Sequence, residues 1–150
     1  MLTEVQALVN RAGFGYPKRQ AAGTDYNRVS VLIAVMEKRL GIPLSDYDVY
    51  INLAGGIRQT EPALDLGIVT AILSGFLNRP VDDDLIVFGE VGLSGEVRSV
   101  SMAEQRVLEA AKLGFHTCLL PKGNMKGLRV PEGMRLLPVS GIGQIREYLG

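Results

Sequence analysis

Three observations predict an α+β fold in one domain. Strand-like and helix-like stretches follow one another without an internal repeat, glycine or proline closes most of them, and 47% of the 150 residues are hydrophobic, enough to build a core. Residues 3–9 alternate polar and apolar side chains and predict a strand, and RAGFGYPKRQAAG, with its glycines, proline and cations, predicts a loop. In TDYNRVSVLIAVMEKRLG the apolar Val29, Leu32, Ile33, Val35, Met36 and Leu40 recur at steps of three and four, which predicts a one-sided helix. Thr24 or Asp25 caps its start and Gly41 follows its end.

After the turn IPLSD, the run DVYINLAGG predicts a second strand. Pro62 then stands where the first turn of a helix tolerates proline, with Thr60 or Glu61 as its cap, and that helix is expected to run to about Leu77. DDLIVFGEVGLSGEVRSV has two β-rich arms around Gly92 and Gly95, a hairpin pattern. The third helix is expected in SMAEQRVLEAAKLG, where Ser101 and Glu104 have capping-box spacing. HTCLLP and MRLLPV predict strands around a turn or short helix in GNMKGL, and SGIGQIREYLG predicts a closing helix capped by Ser140.

Charge and motifs narrow the function. Lys plus Arg and Asp plus Glu are both 16, so no overall basic field attracts nucleic acid or an anionic membrane, and such binding requires a local patch. One cysteine, Cys118, and one histidine, His116, exclude a disulfide framework or a four-ligand Cys/His zinc site within this chain. No run approaches the roughly 18 to 20 apolar residues of a membrane span, and MLTEVQALVN has no secretory pattern. A cytoplasmic protein is expected. Because the strand pattern starts at once, the chain also reads as a domain cut from a longer one.

The P-loop, the G-x-S-x-G elbow and the H-E-x-x-H helix are all missing from the sequence. Asp82, Asp83 and Asp84 offer carboxylates for a divalent metal, but a solvated charge run in a turn is the ordinary reading, and no metal site is expected. His116 and Cys118, two apart on a strand, have the residue types of a Cys/His pair but more simply share a packed face. Ser101 is explained by its cap. The glycine pairs Gly55–Gly56 and Gly92/Gly95 suit turns first and close approach of a ligand second.

Several segments together carry a family resemblance. GGIRQTEPALDLGIVTAILSGFLNRPV, FGEVGLSGEVRSV and EQRVLEAAKLGFHTCLLPKGN resemble the proteolytic domain of Lon. More closely, these segments and TEVQALV, YPKRQAAGTDYNRVSVLIAVMEKRLG and PVSGIGQIREYL resemble the Lon-like C-terminal domain of the RadA (Sms) family of bacterial DNA repair proteins. The resemblance covers essentially the whole chain. It implies a Lon proteolytic-domain-like fold, of the type of ribosomal protein S5 domain 2, over residues 1–150 as one domain from the C-terminal part of a longer protein.

The resemblance also locates a lost active site. In active Lon-type proteases the serine nucleophile follows the proline of a glycine-proline-serine motif, which is Glu61-Pro62-Ala63 in this sequence. The partner lysine aligns with Arg106. A methyl group cannot attack a carbonyl, and a guanidinium does not shed its proton in proteins. Thr60 and Ser74 are the neighbouring hydroxyls that a surviving peptidase would have to use. The RadA resemblance further implies a hexameric ring and a basic surface for single- or double-stranded DNA. ATP, magnesium and zinc belong to an ATPase domain and a zinc finger outside this chain, so no cofactor is expected in this domain.

For DNA, Arg11, Lys18, Arg19 and Arg28 face a single acid, Asp25, between residues 11 and 28, and loop-borne cations of this kind reach backbone phosphates. Arg28 has an equal structural reading, bonding to Asp25 or a neighbouring loop. Lys122, Lys126 and Arg129 form a second patch. Phe14 and Tyr16 either stack bases or plug a core edge. Arg58 is expected to pair with Glu61 or Asp65, and Arg106 either pairs with an acid in the cleft or lines a ring channel. The expected function is ring assembly and sequence-independent DNA binding without catalysis; a Lon-like peptidase with an unrecognised nucleophile and a pure oligomerisation scaffold are the alternatives.

Overall fold

In the computed structural model, which describes residues 2–54 and 61–150, the opening alternation forms β1 (Glu4–Arg11). Val5, Ala7 and Val9 turn toward the interior and the residues between them face out, the period-two consequence of a pleated strand. The segment expected to be all loop contains a short strand, β2 (Arg19–Ala22). Its four residues pair in parallel with β3 (Tyr47–Ala54), while β1 pairs antiparallel to the other edge of β3. The sheet order is thus β1-β3-β2.

Between β2 and β3 lies α1 (Tyr26–Leu40), capped by the Asp25 carboxylate, which accepts from the Asn27 N–H at 3.0 Å. Asp25 rather than Thr24 is therefore the cap. Gly41 ends the helix at φ 67, and its N–H returns to the Glu37 carbonyl, a conformation glycine adopts without steric cost. Of the six apolar residues singled out by spacing, Val29, Leu32, Ile33, Val35 and Met36 are buried and Leu40, at the end of the helix, is partly buried.

Pro62 opens a 3-10 turn, Pro62–Leu64, that runs into α2 (Asp65–Leu77). Glu61 precedes it without a side-chain cap bond, and Thr60, the other expected cap, lies outside the described residues. Helix α2 is buried on most of its circumference, with Leu66, Ile68, Val69, Ile72 and Leu73 inside the core, because β1 and α1 both pack on it. Gly67 and Gly75 lie beneath β1. A Cβ on Gly75 would stand 3.1 Å from Val9 Cγ2 and one on Gly67 3.8 Å from Val5 Cγ2, so small residues permit the close approach of strand and helix.

The expected hairpin is only half of what forms. β5 (Glu90–Val91) and β6 (Val97–Arg98) are its antiparallel arms, but the preceding β4 (Leu85–Val87) leaves it for a second sheet. There β4, β7 (Thr117–Pro121) and β8 (Arg135–Val139) run parallel in the order β4-β7-β8. Gly89, at φ 156, turns the chain between the two.

Helix α3 (Ala103–Lys112) packs Val107 and Ala110 on Phe88, Cys118, Leu120 and Met134 in a second core cluster. Its expected capping box does not form. Met102, at φ 60, occupies the N-cap position, so the start lies one residue beyond the register the Ser101/Glu104 spacing requires. Glu104 instead accepts from the Arg129 N–H at 3.2 Å. The closing segment Ile142–Tyr148 is 3-10 rather than α. Its start is bound by Gln144 Oε1, which accepts from the Ser140 and Gly141 N–H groups, and Ser140 Oγ donates to that same oxygen instead of capping the backbone. Arg79 fastens this tail by donating to the carbonyls of Arg146, Leu149 and Gly150 at 2.8–3.0 Å.

The result is a mixed α and β single-domain arrangement, compatible with α+β. No helix among the described residues is long and apolar enough to cross a membrane.

Candidate functional site

A cleft of about 670 Å³ opens between the first residues of β1, the start of α2, β4 and α3. Ala63 and Arg106, 43 residues apart in the chain, both line it. Ala63 is 5% exposed and its carbonyl accepts from the Gly89 N–H at 2.9 Å, which ties the turn before α2 to the end of β4. Arg106 pairs with Glu61, donates through Nε to the Ser101 carbonyl at 3.0 Å, and places its guanidinium 6.0 Å from the Phe88 ring centre. Of its two expected environments, Arg106 thus has the acid in the cleft.

Two nearby hydroxyls are already engaged. Thr70 Oγ1 lines the cleft but donates to the Leu66 carbonyl at 2.7 Å, and Ser74 Oγ donates to the Arg79 carbonyl at 2.6 Å. Thr60 lies outside the described residues. The ionisable lining is Glu4, Glu61, Asp82, Asp83, Glu109 and Arg106, five carboxylates against one guanidinium. Asp82 and Asp83 belong to the acidic run visible in the sequence, but Glu4, Glu61 and Glu109 come from positions up to 105 residues apart, and no local motif joins them to it.

The cations expected to face DNA fall into two groups. Lys18, Lys122, Lys126 and Arg129 have exposed side chains. Arg19 is turned inward, with its guanidinium on the carbonyls of Tyr47 and Leu44, the latter at 2.8 Å. Arg28 grips Asp65 with two nitrogens, its Nε at 3.0 Å from Oδ1, and also donates to the Val91 carbonyl at 2.9 Å. Asp65 is 1% exposed and accepts in addition from the Val91 N–H at 3.0 Å. The carboxylate beside it raises the pKa of Arg28 further, mainly through these hydrogen bonds. The structural reading of Arg28 holds with Asp65 as partner. Arg58 and the glycine pair Gly55–Gly56 lie outside the described residues, and the two acids expected for Arg58 are engaged by Arg106 and Arg28.

Phe14 and Tyr16 do not plug a core edge; they are 108% and 96% exposed at the tip of the loop between β1 and β2. Arg11 at its base stands 5.7 Å from the Tyr47 ring centre.

His116 and Cys118 are separated by burial. His116 is exposed, and its backbone N–H and Nδ1 both meet Asp84 Oδ1, at 2.9 and 3.1 Å. Cys118 is fully buried, and desolvation pushes its thiol up to about 12, far from the thiolate a nucleophile needs. The native protein is accordingly expected to resist thiol-specific alkylation at neutral pH and to react fully in denaturant; rapid labelling of the folded chain would contradict this burial. Among the described residues no three His, Cys, Asp or Glu side chains cluster as a metal site.

Comparison with known proteins places this arrangement. Residues 5–124 match the family described as "Subunit ChlI of Mg-chelatase". The chain is 48% identical over 142 residues to the DNA repair protein RadA of Halalkalibacterium halodurans, covering 95% of this chain and 31% of that protein. Identity to RadA of Bacillus subtilis is 47% over the whole chain and 33% of the relative, and to RadA of Synechocystis 44%, over 95% of this chain and 28% of the relative. The chain thus spans about a third of the length of these relatives. It belongs to the family described as subunit ChlI of Mg-chelatase and is similar, end to end, to one third of the bacterial RadA proteins.

Proposed function

We propose that this domain is the non-catalytic, Lon-like part of a RadA-type DNA recombination and repair protein, acting in the cytoplasm to join subunits into a hexameric ring and to hold DNA irrespective of sequence. The observation that carries the reading is the cleft itself: at the two positions the Lon resemblance assigns to serine and lysine stand a buried methyl, Ala63, and a guanidinium engaged by Glu61, Arg106. The likeness to DNA repair proteins supplies the biological setting. ATP, magnesium and zinc belong, on this reading, to other domains of the longer protein.

Phosphate contact falls to the exposed lysines Lys18, Lys122 and Lys126. Arg19 and Arg28, bound to carbonyls and a carboxylate, act by holding β2 and α1 in place. The test is fluorescence anisotropy of a labelled oligonucleotide, single- and double-stranded, titrated at low and moderate salt. Binding weakens with salt as counterions are released, and Lys122→Ala with Lys126→Ala reduces the slope of log K against log salt by about 2. An unchanged slope removes that patch from the interface. Binding that is absent at low salt leaves the scaffold reading. Hydrolysis of an unfolded protein substrate, lost on Thr60→Ala, would favour the peptidase.

A further inference from the structure

Two features of the chain complement each other in charge and polarity. The first is the β1–β2 loop, where Phe14 and Tyr16 stand fully in solvent. Residues 11–24 contain Arg11, Lys18 and Arg19 and no acid. Two aromatic rings held in water are costly, since each would remove roughly 150–250 Å² from it when buried. The second feature is the acid-lined cleft. Besides its five carboxylates, of which Glu61 is paired with Arg106, the cleft is lined by the apolar Val5, Leu64, Ala71, Leu85, Val87 and Phe115, and β1 and β4, which border it, are edge strands of their sheets.

The two features lie at opposite ends of β1. The cleft takes in its first residues, Glu4 and Val5, and the loop leaves from its last, Arg11. At about 3.3 Å per residue the strand holds them roughly 20 Å apart, so the loop cannot reach its own cleft.

We propose that the Phe14–Tyr16 loop of one copy docks in the cleft of the next, its aromatic rings against the apolar lining and Arg11 and Lys18 toward the carboxylates. Such a contact joins two different patches, a heterologous interface, which closes into a ring when the rotation between copies permits. The inference rests on the ring-assembly reading and specifies its junction. In this arrangement Lys18 serves the junction in place of the phosphate contact given to it above, and the DNA phosphates are left to Lys122 and Lys126.

The test is complementation of two variants, with mass in solution read by light scattering and folding by circular dichroism. Phe14→Ser with Tyr16→Ser removes the plug. Ala71→Phe fills the cleft from the half-buried face of α2. Each alone should weaken self-association about a hundredfold or more, the scale of losing aromatic anchors from an interface. An equal mixture should form dimers, because one intact loop meets one intact cleft. Lys18→Glu, which leaves the apolar contacts in place, should weaken association in a salt-dependent way. If the wild type assembles and the loop variant keeps the same mass, the junction lies elsewhere and the proposal fails while ring assembly stands. A wild type that stays monomeric at every concentration overturns both. Loss of oligonucleotide binding by the loop variant with its mass unchanged would give the aromatic rings to nucleic acid instead.

Discussion

Asp65→Ala is expected to lower the unfolding free energy by about 3 kcal/mol and the melting temperature by roughly 10 °C. The carboxylate is 1% exposed and joins three elements: it begins α2, accepts twice from Arg28 on α1, and accepts from the N–H of Val91 on β5. Alanine leaves a guanidinium without its counter-charge and a buried amide without an acceptor. The guanidinium is partly solvated, with 35% of its side chain exposed, which limits the loss. Asp65→Asn keeps an acceptor for Val91 and is expected to cost about half as much. Because Arg28 has its pKa raised, its contribution is fully present below the unfolded value and is lost only as pH rises through the folded one, beyond any pH at which the domain survives. Urea denaturation at neutral and mildly alkaline pH should therefore give the same difference between wild type and variant. A difference under 1 kcal/mol would mean that α1, α2 and β5 are held by apolar packing alone.

Gly23→Ala is the second large effect, about 2–4 kcal/mol. Gly23 follows β2 at φ 84, where an L side chain is strained, and a Cβ there would press into the Leu53 carbonyl oxygen and lie 3.2 Å from the Leu53 Cβ. A carbonyl in the middle strand of the sheet cannot rotate away without breaking its own pairing. The strand that must yield is β2, which has only four paired residues. Gly15→Ala separates strain from clash: its φ is 85, but nothing lies within 4 Å of the added carbon, so about 1 kcal/mol is expected. Equal losses at the two sites would show that the approach to Leu53 relaxes freely. The β2 register also carries Lys18 and the aromatic loop, so Gly23→Ala should disturb any binding by that loop, whereas Gly133→Ala, at φ 85 in open space on the far side of the chain's sequence, should not.

The elements legible in the sequence were those whose signals are local. Helix α1 follows from apolar spacing with a cap at each end, and α2 ends at Leu77 as its pattern indicates. The strand β2 was missed because four residues among glycines and cations have no pattern of their own; they become a strand only by pairing with β3, about thirty residues away. The Ser101/Glu104 spacing misled because a left-handed Met102 moves the start of α3 by one residue. Leu85–Val87 looked like a hairpin arm because its partner, Thr117–Leu119, is not adjacent in the chain.

At the candidate site the division is similar. The identities of Ala63 and Arg106 are facts of sequence, and so is the chemistry they lack. That the guanidinium reaches Glu61, that Arg28 and Arg19 turn inward while Lys18, Lys122 and Lys126 stay in solvent, and that acids from four separate parts of the sequence share one cleft are decided by tertiary packing. By itself the sequence determined which helices could form and which side chains were available, because helix propensity and capping act over a few residues. Only the folded chain decided which charges are paired, because a partner 25 to 45 residues away is chosen by how the sheets and helices stack and not by its neighbours in the chain.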